Sequence, residues 1–256
     1  MIAILLCAGF ATRMYPLTMN FPKPLLKVAG RPVLDYLMEQ LLECPYLEGV
    51  YIVTNARFFN HFCLWKESWD VHIRRKGIEI RIYNNGVRYD HSRLGALRDL
   101  AFVLDQFASL KPAVVAAGDN IFCFSLSPIW QRFIFGNVNY VIALFETDKD
   151  RLRRTGIVEL GPDDRVIRFY EKPNEPPSFW ISPAIYFLQR TALMRVKEYL
   201  LYSSMHDAPG YFLEYLVGKE PVYAVRVKGR VLDIGSIDSY RNADRMLSVE
   251  PFRLSE

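Results

Sequence analysis

Residues 6 to 25 carry the side chains best placed to do chemistry. Leu6-Cys-Ala-Gly-Phe-Ala-Thr-Arg-Met-Tyr-Pro-Leu-Thr18 is followed by Pro22-Lys-Pro-Leu25. An apolar strand over 1–7 breaks at Ala8-Gly9 into a loop of small residues. The loop delivers Thr12, Arg13 and Lys23, and no acidic residue lies between Gly9 and Lys27. A strand end that runs into small residues lets backbone N–H groups close on an anion, and nearby cations neutralise it. The expected ligand is a polyphosphate.

The run resembles the signature of the sugar-1-phosphate nucleotidyltransferases (nucleoside-diphosphate-sugar pyrophosphorylases), L-x-A-G-x-G-T-R-x-x-P-L-T followed by P-K-P-L. Ala8, Gly9, Thr12, Arg13, Pro16, Leu17, Thr18, Pro22, Lys23, Pro24 and Leu25 fall on it in register. Ala11 stands where the family has its second glycine. If that position needed φ > 0, alanine would cost on the order of 1 kcal/mol. The expectation is that it does not, and that alanine is merely small enough to let phosphates approach. The resemblance implies nucleotide binding by Ala8, Gly9, Ala11, Thr12, Arg13 and Lys23, and an activity nearest to the thymidylyltransferases that use glucose 1-phosphate.

Such a transfer asks an anionic sugar phosphate to attack an anionic α-phosphate and expel pyrophosphate. The reactants repel, so charge neutralisation and in-line positioning must carry the catalysis. Mg²⁺ suits this, because it takes one or two carboxylates plus phosphate oxygens. Asp119 ends the apolar strand Ala113-Val-Val-Ala-Ala-Gly-Asp-Asn120; alone, Gly-Asp-Asn also reads as a turn. Asp233 lies in Val231-Leu-Asp-Ile-Gly-Ser236 and also reads as a helix cap, though Ser236 offers another. Together they resemble the family's G-D-N and D-x-G elements. That implies Mg²⁺ on Asp119 and Asp233, with Gly118 beside the nucleotide and Asn120 beside the acceptor.

By the same resemblance Arg13 binds the β and γ phosphates and stabilises departing pyrophosphate, while Lys23 neutralises the reacting phosphates. Without it, both read as solvated surface charges. Tyr170-Glu-Lys-Pro173 matches an E-K-P element. Glu171 would then accept from sugar hydroxyls, Lys172 would bind the attacking phosphate as a point charge, and Gly156 would let a backbone approach the sugar. The other reading of Glu171 and Lys172 is an exposed strand-end pair. Asp207 to Glu214 reads as a capped helix start that packs rather than catalyses.

The base-reading region, residues 84–97, matches less well. Asn84 and Asn85 precede Ser92-Arg-Leu-Gly-Ala-Leu97, in which Gly95 and Ala96 align with the family's G-x-A-x-A. Ser92 replaces a usual glycine, and Arg93 is unusual. An amide such as Asn84 offers a donor and an acceptor to a pyrimidine's imide edge. Arg93 reads either as a partner for an anionic group on the acceptor or as a surface charge.

Bulk properties exclude several classes. The chain has 256 residues, half of them apolar, and a net charge of +4. Charge clusters only at Arg74-Arg-Lys76 and at Arg151, Arg153 and Arg154, without the stripe of a nucleic-acid binder. An anionic small substrate fits the balance, and no nucleic acid partner is expected. Residues 1–10 are apolar but lack a basic leader and a cleavage pattern, and no stretch reaches the roughly eighteen apolar residues of a membrane span. Cys7, Cys44, Cys63 and Cys123 show no paired spacing and read as buried free thiols, which points to the cytoplasm. The four histidines show no metal spacing, and no P-loop, G-x-G-x-x-G or G-x-S-x-G motif occurs.

The elements that must position these residues follow from periodicity. Strands are expected at 1–7, 49–54, 78–83, 112–117 and 139–145, with helices near 32–43, 57–69, 94–107 and 126–134. Pro32 suits a first helical turn. Beyond residue 155 the pattern gives a hairpin over 156–160 and 165–170, strands at 182–188 and 222–228, and helices near 190–202, 209–217 and 237–247. The βαβα order argues for a mainly parallel mixed sheet with helices on both faces, and the resemblance implies a Rossmann-like nucleotidyltransferase fold. One domain over 1–256 is expected, with a nucleotide-binding half (1–145) and a sugar-phosphate half (146–256). Ligands in such sheets gather at strand carboxyl ends, where Gly9 and Asp119 both fall.

Two rival functions keep the fold. One is a cytidylyltransferase or other nucleotidyltransferase acting on a different phosphate, such as phosphocholine. The other is a nucleotide-binding regulatory protein that has lost the reaction, to which Ala11 alone points. Trp65, Trp69, Trp130 and Trp180 read equally as a homo-oligomer interface or as core.

Overall fold

The computed structural model describes residues 1–205 and 207–249, apart from the side chains of His72 and Arg74. It divides into two compact units that interleave along the sequence. Unit 1 comprises Met1–Arg93, Ala117–Ser127 and the segment from Arg230 onward; unit 2 comprises Leu94–Ala116 and Pro128–Gly229. Elements are numbered along the whole chain.

Three parallel strands lie in unit 1: β1 (Ile2–Leu6), β4 (Gly49–Thr54) and β5 (Glu79–Asn84), in the order β1-β4-β5. Every residue of β4 is buried, as expected of a central parallel strand covered on both faces. The register pairs Leu6 with Val53 and Thr54 with Asn84, so all three strands end at one edge. Short antiparallel pairs complete the strands of this unit. β2 (Lys27–Val28) and β3 (Arg31–Pro32) form a hairpin whose turn residues Ala29 and Gly30 both have positive φ. β7 (Asn120–Phe122) pairs with β14 (Val231–Asp233).

Helix α1 (Val33–Leu42) begins one residue after the expected Pro32, which sits at its N-cap. α2 (Phe59–Lys76) runs seven residues beyond the expected end at 69. Phe62, Trp65, Trp69 and Ile73 extend one apolar face and are all buried. Trp65 and Trp69 do not mark an interface: both indole N–H groups donate to Asp35 Oδ1 on α1, at 2.7 and 3.1 Å. The last helix, α8 (Ile237–Val249), holds the β2–β3 hairpin. Tyr240 donates to the Lys27 carbonyl at 2.7 Å, and Asp244 accepts from the Ala29 N–H at 2.8 Å.

Unit 2 holds helices α3 (Ala96–Leu104), α4 (Ser127–Gly136, whose first residue belongs to unit 1), α5 (Lys149–Arg154), α6 (Arg190–Tyr202) and α7 (Gly210–Val217). Its strands are β6 (Ala113–Ala117, whose last residue belongs to unit 1), β8 (Asn139–Phe145), β9 (Gly156–Leu160), β10 (Val166–Glu171), β11 (Trp180–Ser182), β12 (Ile185–Leu188) and β13 (Val222–Arg226). β13 runs parallel to β8, and the other pairings here are antiparallel: β12 with β6 and β8, β11 with β8 and β9, β10 with β9. The expected strand over 182–188 is therefore two strands. Pro183, which has no N–H to give a ladder, separates them. Sheet and helices together make a mixed α/β fold with helices flanking the sheet.

Asp35 tests how a half-buried charge is held. Burial pushes its carboxyl up from the usual range, and the two indole bonds and Arg31 pull it back. Asp35→Ala should destabilise the protein by about 2–4 kcal/mol, because two buried N–H groups lose their acceptor. Asp35→Asn keeps an acceptor and sheds the charge, so it should cost much less. Urea unfolding with unchanged slope reads both, and equal losses would rule this account out.

Candidate functional site

The loop after β1 is shaped by polar side chains from the end of β4. Thr54 Oγ1 donates to the Cys7 carbonyl at 3.3 Å, and Asn55 Nδ2 donates to the Ala8 carbonyl at 3.0 Å. Asn55 Oδ1 in turn accepts from the Phe58 N–H. Both side chains are fully buried, and neither was singled out from the sequence. With these carbonyls tied back, the loop can turn its N–H groups toward an anion. A Cβ at Gly9 would meet nothing within 4 Å, and its φ is not in the left-handed region. Neither packing nor strain therefore calls for glycine there; close approach of a ligand to the backbone would.

Ala11 corrects an expectation. Its φ of 50° and ψ of 43° are left-handed, so this position does take the conformation that favours glycine. Two bonds hold it: Thr18 Oγ1 and the Met14 N–H donate to the Ala11 carbonyl at 2.8 and 2.9 Å. Thr18 is completely buried. A single 3-10 turn, Thr12–Met14, follows and leaves Thr12 and Arg13 exposed.

Asp119 and Asp233 lie on neighbouring segments of unit 1. In the β7–β14 pair, Asn120 lies directly opposite Asp233, so their Cα atoms are about 4.5–5.5 Å apart. Asp119 immediately precedes Asn120, whose Nδ2 donates to Asp119 Oδ1 at 3.1 Å. Gly118 is dictated by packing, since a Cβ there would lie 2.3 Å from Cys7 Sγ. The glycine of D-x-G has a similar reason: a Cβ at Gly235 would lie 2.7 Å from Asp233 Oδ2. Gln40, buried on α1, clamps the segment after β7 by donating to the Phe122 carbonyl at 2.8 Å and accepting from the Leu126 N–H at 3.2 Å.

Lys23 is not a solvated surface charge. Its side chain is 11% exposed, and its Nζ lies 2.5 Å from Asp119 Oδ2. The turn Lys23–Leu25, flanked by Pro22, sets it there. Cys7, at the centre of the motif, stays a thiol: burial and the Asp119 charge both push its pKa well up, outweighing a bond from Gly118. Among the described residues no group of three or more His, Cys, Asp or Glu is arranged to hold a metal. The donors offered are the carboxylates of Asp119 and Asp233, a donor type that fits a hard cation taking its remaining ligands from phosphate and water.

The base-reading residues are placed differently. Asn84 ends β5 at the edge where β1 also ends, and its Oδ1 accepts from the Gly86 N–H at 2.9 Å. That turn uses one lone pair of the amide oxygen. Arg93 is exposed, with Asp90 at 3.8 Å. Gly95 belongs to unit 2, where it precedes α3 with φ 89°, ψ 152°, a conformation open essentially to glycine.

Of the residues expected to bind the acceptor, Gly156, Glu171 and Lys172 lie in unit 2 and Asn120 in unit 1. Glu171, Gly156 and Ser182 form one cross-strand row over β10, β9 and β11. The protein itself fills the space at Gly156, where a Cβ would lie 2.6 Å from the Phe169 ring. Ser182 Oγ is buried without a hydrogen-bond partner among the described residues. The Glu171 side chain is 6% exposed and its carboxyl is pushed up, first by burial and further by Glu214, against the pull of Lys172. Lys172 Nζ lies 3.2 Å from Glu171 Oε1, and Lys172 itself is left-handed, with φ 52°. The helix beyond starts at Gly210 after Pro209 and has no side-chain cap, so Asp207 does not play the expected capping part.

A family model for nucleotidyl transferases matches residues 2–249. The chain belongs to the nucleotidyl transferase family. It is 29% identical over 245 residues to the bifunctional protein GlmU of Methanococcus vannielii, covering 91% of this chain and 51% of that one. It is 24% identical over 265 residues to a glucose-1-phosphate adenylyltransferase of Thermosipho africanus, covering all of this chain and 64% of that one. The chain thus spans between half and two thirds of the length of these relatives. Two solved structures share the fold of this nucleotidyl transferase, each with a TM-score of 0.79. One is a Bacillus anthracis protein assigned as a glucose-1-phosphate thymidylyltransferase, with sucrose (20% identity; 100% of this chain, 98% of that one). The other is a UDP-glucose pyrophosphorylase with UDP-glucose (17%; 97% and 98%). The fold is of the Rossmann-like nucleotidyltransferase type.

The left-handed Ala11 yields a stability prediction. Ala11→Gly should stabilise the protein by about 0.5–1 kcal/mol, because relief of the Cβ clash exceeds the entropy glycine adds to the unfolded chain. A denaturation midpoint that moves down would show that the alanine is unstrained.

Proposed function

We propose that this nucleotidyl transferase moves a nucleotidyl group from a nucleoside triphosphate to a sugar 1-phosphate, releasing pyrophosphate and forming a nucleoside-diphosphate sugar. The observation that supports it most is the Lys23–Asp119 pair, with Asp233 set opposite the next residue, Asn120, in the unit that also carries the Gly9–Arg13 loop. Names of two relatives, a glucose-1-phosphate adenylyltransferase and a UDP-glucose pyrophosphorylase, favour a sugar phosphate over phosphocholine. We take the donor to be thymidine triphosphate and the acceptor glucose 1-phosphate.

A phosphate oxygen of the acceptor attacks the α-phosphorus, and the bond to the bridging oxygen of the leaving pyrophosphate breaks. The nucleophile is already ionised, so no base need remove a proton. That fits a site with no histidine or serine among the residues assigned to it. Backbone N–H groups from Gly9 to Thr12 would hold the triphosphate, Arg13 would take the β and γ phosphates, and Lys23 would neutralise charge at the reacting phosphorus. Asp119 and Asp233 would hold Mg²⁺, which supplies further charge neutralisation on the phosphate oxygens. Asn84 would meet the base, with Gly95 and Gly118 letting the nucleotide lie close. Glu171, Lys172, Gly156 and Asn120 are the residues we assign to the acceptor. The free cysteines suit a reducing compartment, and we place the protein in the cytoplasm. No helix among the described residues is long and apolar enough to cross a membrane.

Pyrophosphate release measured over a matrix of nucleoside triphosphates and phosphate acceptors, with Mg²⁺, should peak at thymidine triphosphate with glucose 1-phosphate. A peak with cytidine triphosphate and phosphocholine would transfer the assignment to that reading, and tight nucleotide binding without any turnover would end it. Arg13→Ala should lower kcat by about 10²–10⁴, or roughly 3–5 kcal/mol of transition-state stabilisation. Turnover near that of the wild type would remove Arg13 from the leaving-group role.

A further inference from the structure

We infer that Glu214 is a positioning residue for the acceptor: it grips the Glu171–Lys172 main chain and keeps Glu171 and Lys172 in their binding geometry. This rests on the reading of Glu171 and Lys172 as acceptor ligands. Glu214 Oε1 accepts the Glu171 backbone N–H. Four residues earlier, on the same face of α7, Gly210 packs on the Glu171 carboxylate. A Cβ at Gly210 would lie 1.8 Å from Glu171 Oε2, so only glycine lets the helix start there. One helix thus holds Glu171 at two points, backbone and carboxylate.

The grip has strain to balance. Lys172, the next residue, is left-handed with φ 52° and precedes Pro173, a combination that a lysine does not adopt without support. Fixing the Glu171 N–H sets where that turn begins. Glutamine could accept the same bond, yet a carboxylate stands at 214 beside a second, buried carboxylate. Its charge opposes ionisation of Glu171, so Glu214 adds to the effect of burial in raising the pH at which Glu171 becomes an acceptor. The other groups facing Glu171 are Lys172 from its own segment and Tyr186 on β12, whose own pKa is raised by burial and by Glu171.

The test combines kinetics with amide exchange. With glucose 1-phosphate as the probe, Glu214→Ala should raise the acceptor KM by about tenfold or more, with the triphosphate KM and kcat changed less than about threefold. Glu214→Gln should restore KM and move the acid limb of kcat/KM for the acceptor to lower pH, since a like charge is gone and Glu171 ionises more readily. Independently of turnover, hydrogen exchange at the Glu171 amide should be slow in the wild type and in Glu214→Gln and fast in Glu214→Ala. Equal exchange in all three proteins overturns the grip. Slow exchange in wild type and in Glu214→Gln, with no acceptor turned over by the wild type, keeps the grip but overturns its link to an acceptor. An acid limb that stays put in Glu214→Gln overturns the electrostatic part.

Discussion

Everything assigned to unit 1 depends on two three-residue strands meeting antiparallel. β7 and β14 come from separate segments of that unit's sequence, and their pairing sets Asn120 against Asp233. Nothing local would bring Asp233 to the segment that carries Asp119. The pair is secured from three sides: Gln40 clamps the chain after β7, Cys123 donates its N–H to the Arg230 carbonyl, and α8 packs beyond β14. Glycine at 118 and at 235 then lets Cys7 and the Asp233 carboxylate come closer than any side chain would permit.

The electrostatics follow from that placement. A site for polyphosphate must concentrate positive charge, yet a site for a divalent cation must concentrate negative charge. The chain reconciles these by pairing Lys23 with Asp119 across 2.5 Å in a partly buried setting. Each neutralises the other in the protein alone, so neither charge is buried unpaired. An incoming phosphate offers Lys23 a second anionic partner, and a cation does the same for Asp119. Burial first, and then the same carboxylate, raises the pKa of the Cys7 thiol well above its usual range.

Much of this was legible in the sequence, for identifiable reasons. The long strands announce themselves because their burial makes near-continuous apolar runs; Gly49–Thr54 and Asn139–Phe145 appear with the expected ends. β7 and β14 are too short to carry a period, so both aspartates are visible in the sequence but the strand pairing is not. Thr54, Asn55 and Gln40 carry no signal there, and Thr18 is visible only as a motif position, without its bond to Ala11. A buried polar residue has the same letter as an exposed one, and only the carbonyl it meets distinguishes them. Lys23 read equally well as a surface charge until its partner was known. Pro183 is the opposite case, a visible breaker inside a strand expected to be continuous.

Ala11 bears on whether the family's chemistry survives in this chain. The alanine adopts the left-handed conformation a glycine would adopt, at a cost of about 1–2 kcal/mol, and the bonds from Thr18 and Met14 to its carbonyl help offset that cost. The loop geometry is therefore preserved, and the cost falls on the stability of the fold rather than on the site. Catalysis of slow phosphoryl chemistry draws on differences of roughly 8 kcal/mol and more, supplied by fixed charges and positioning. Side chains able to supply those charges, Arg13, Lys23, Asp119 and Asp233, are all present in unit 1. A strain of one or two kcal/mol in a correctly shaped loop is a poor reason to think the reaction lost. Lys172 makes the point from unit 2, where a second non-glycine residue is left-handed beside a proposed ligand. In one place a side chain bonds the strained residue's own carbonyl, Thr18 on Ala11, and in the other it bonds the preceding residue's N–H, Glu214 on Glu171. Strain held by side-chain bonds of this kind is what a site that must present charges in fixed positions requires.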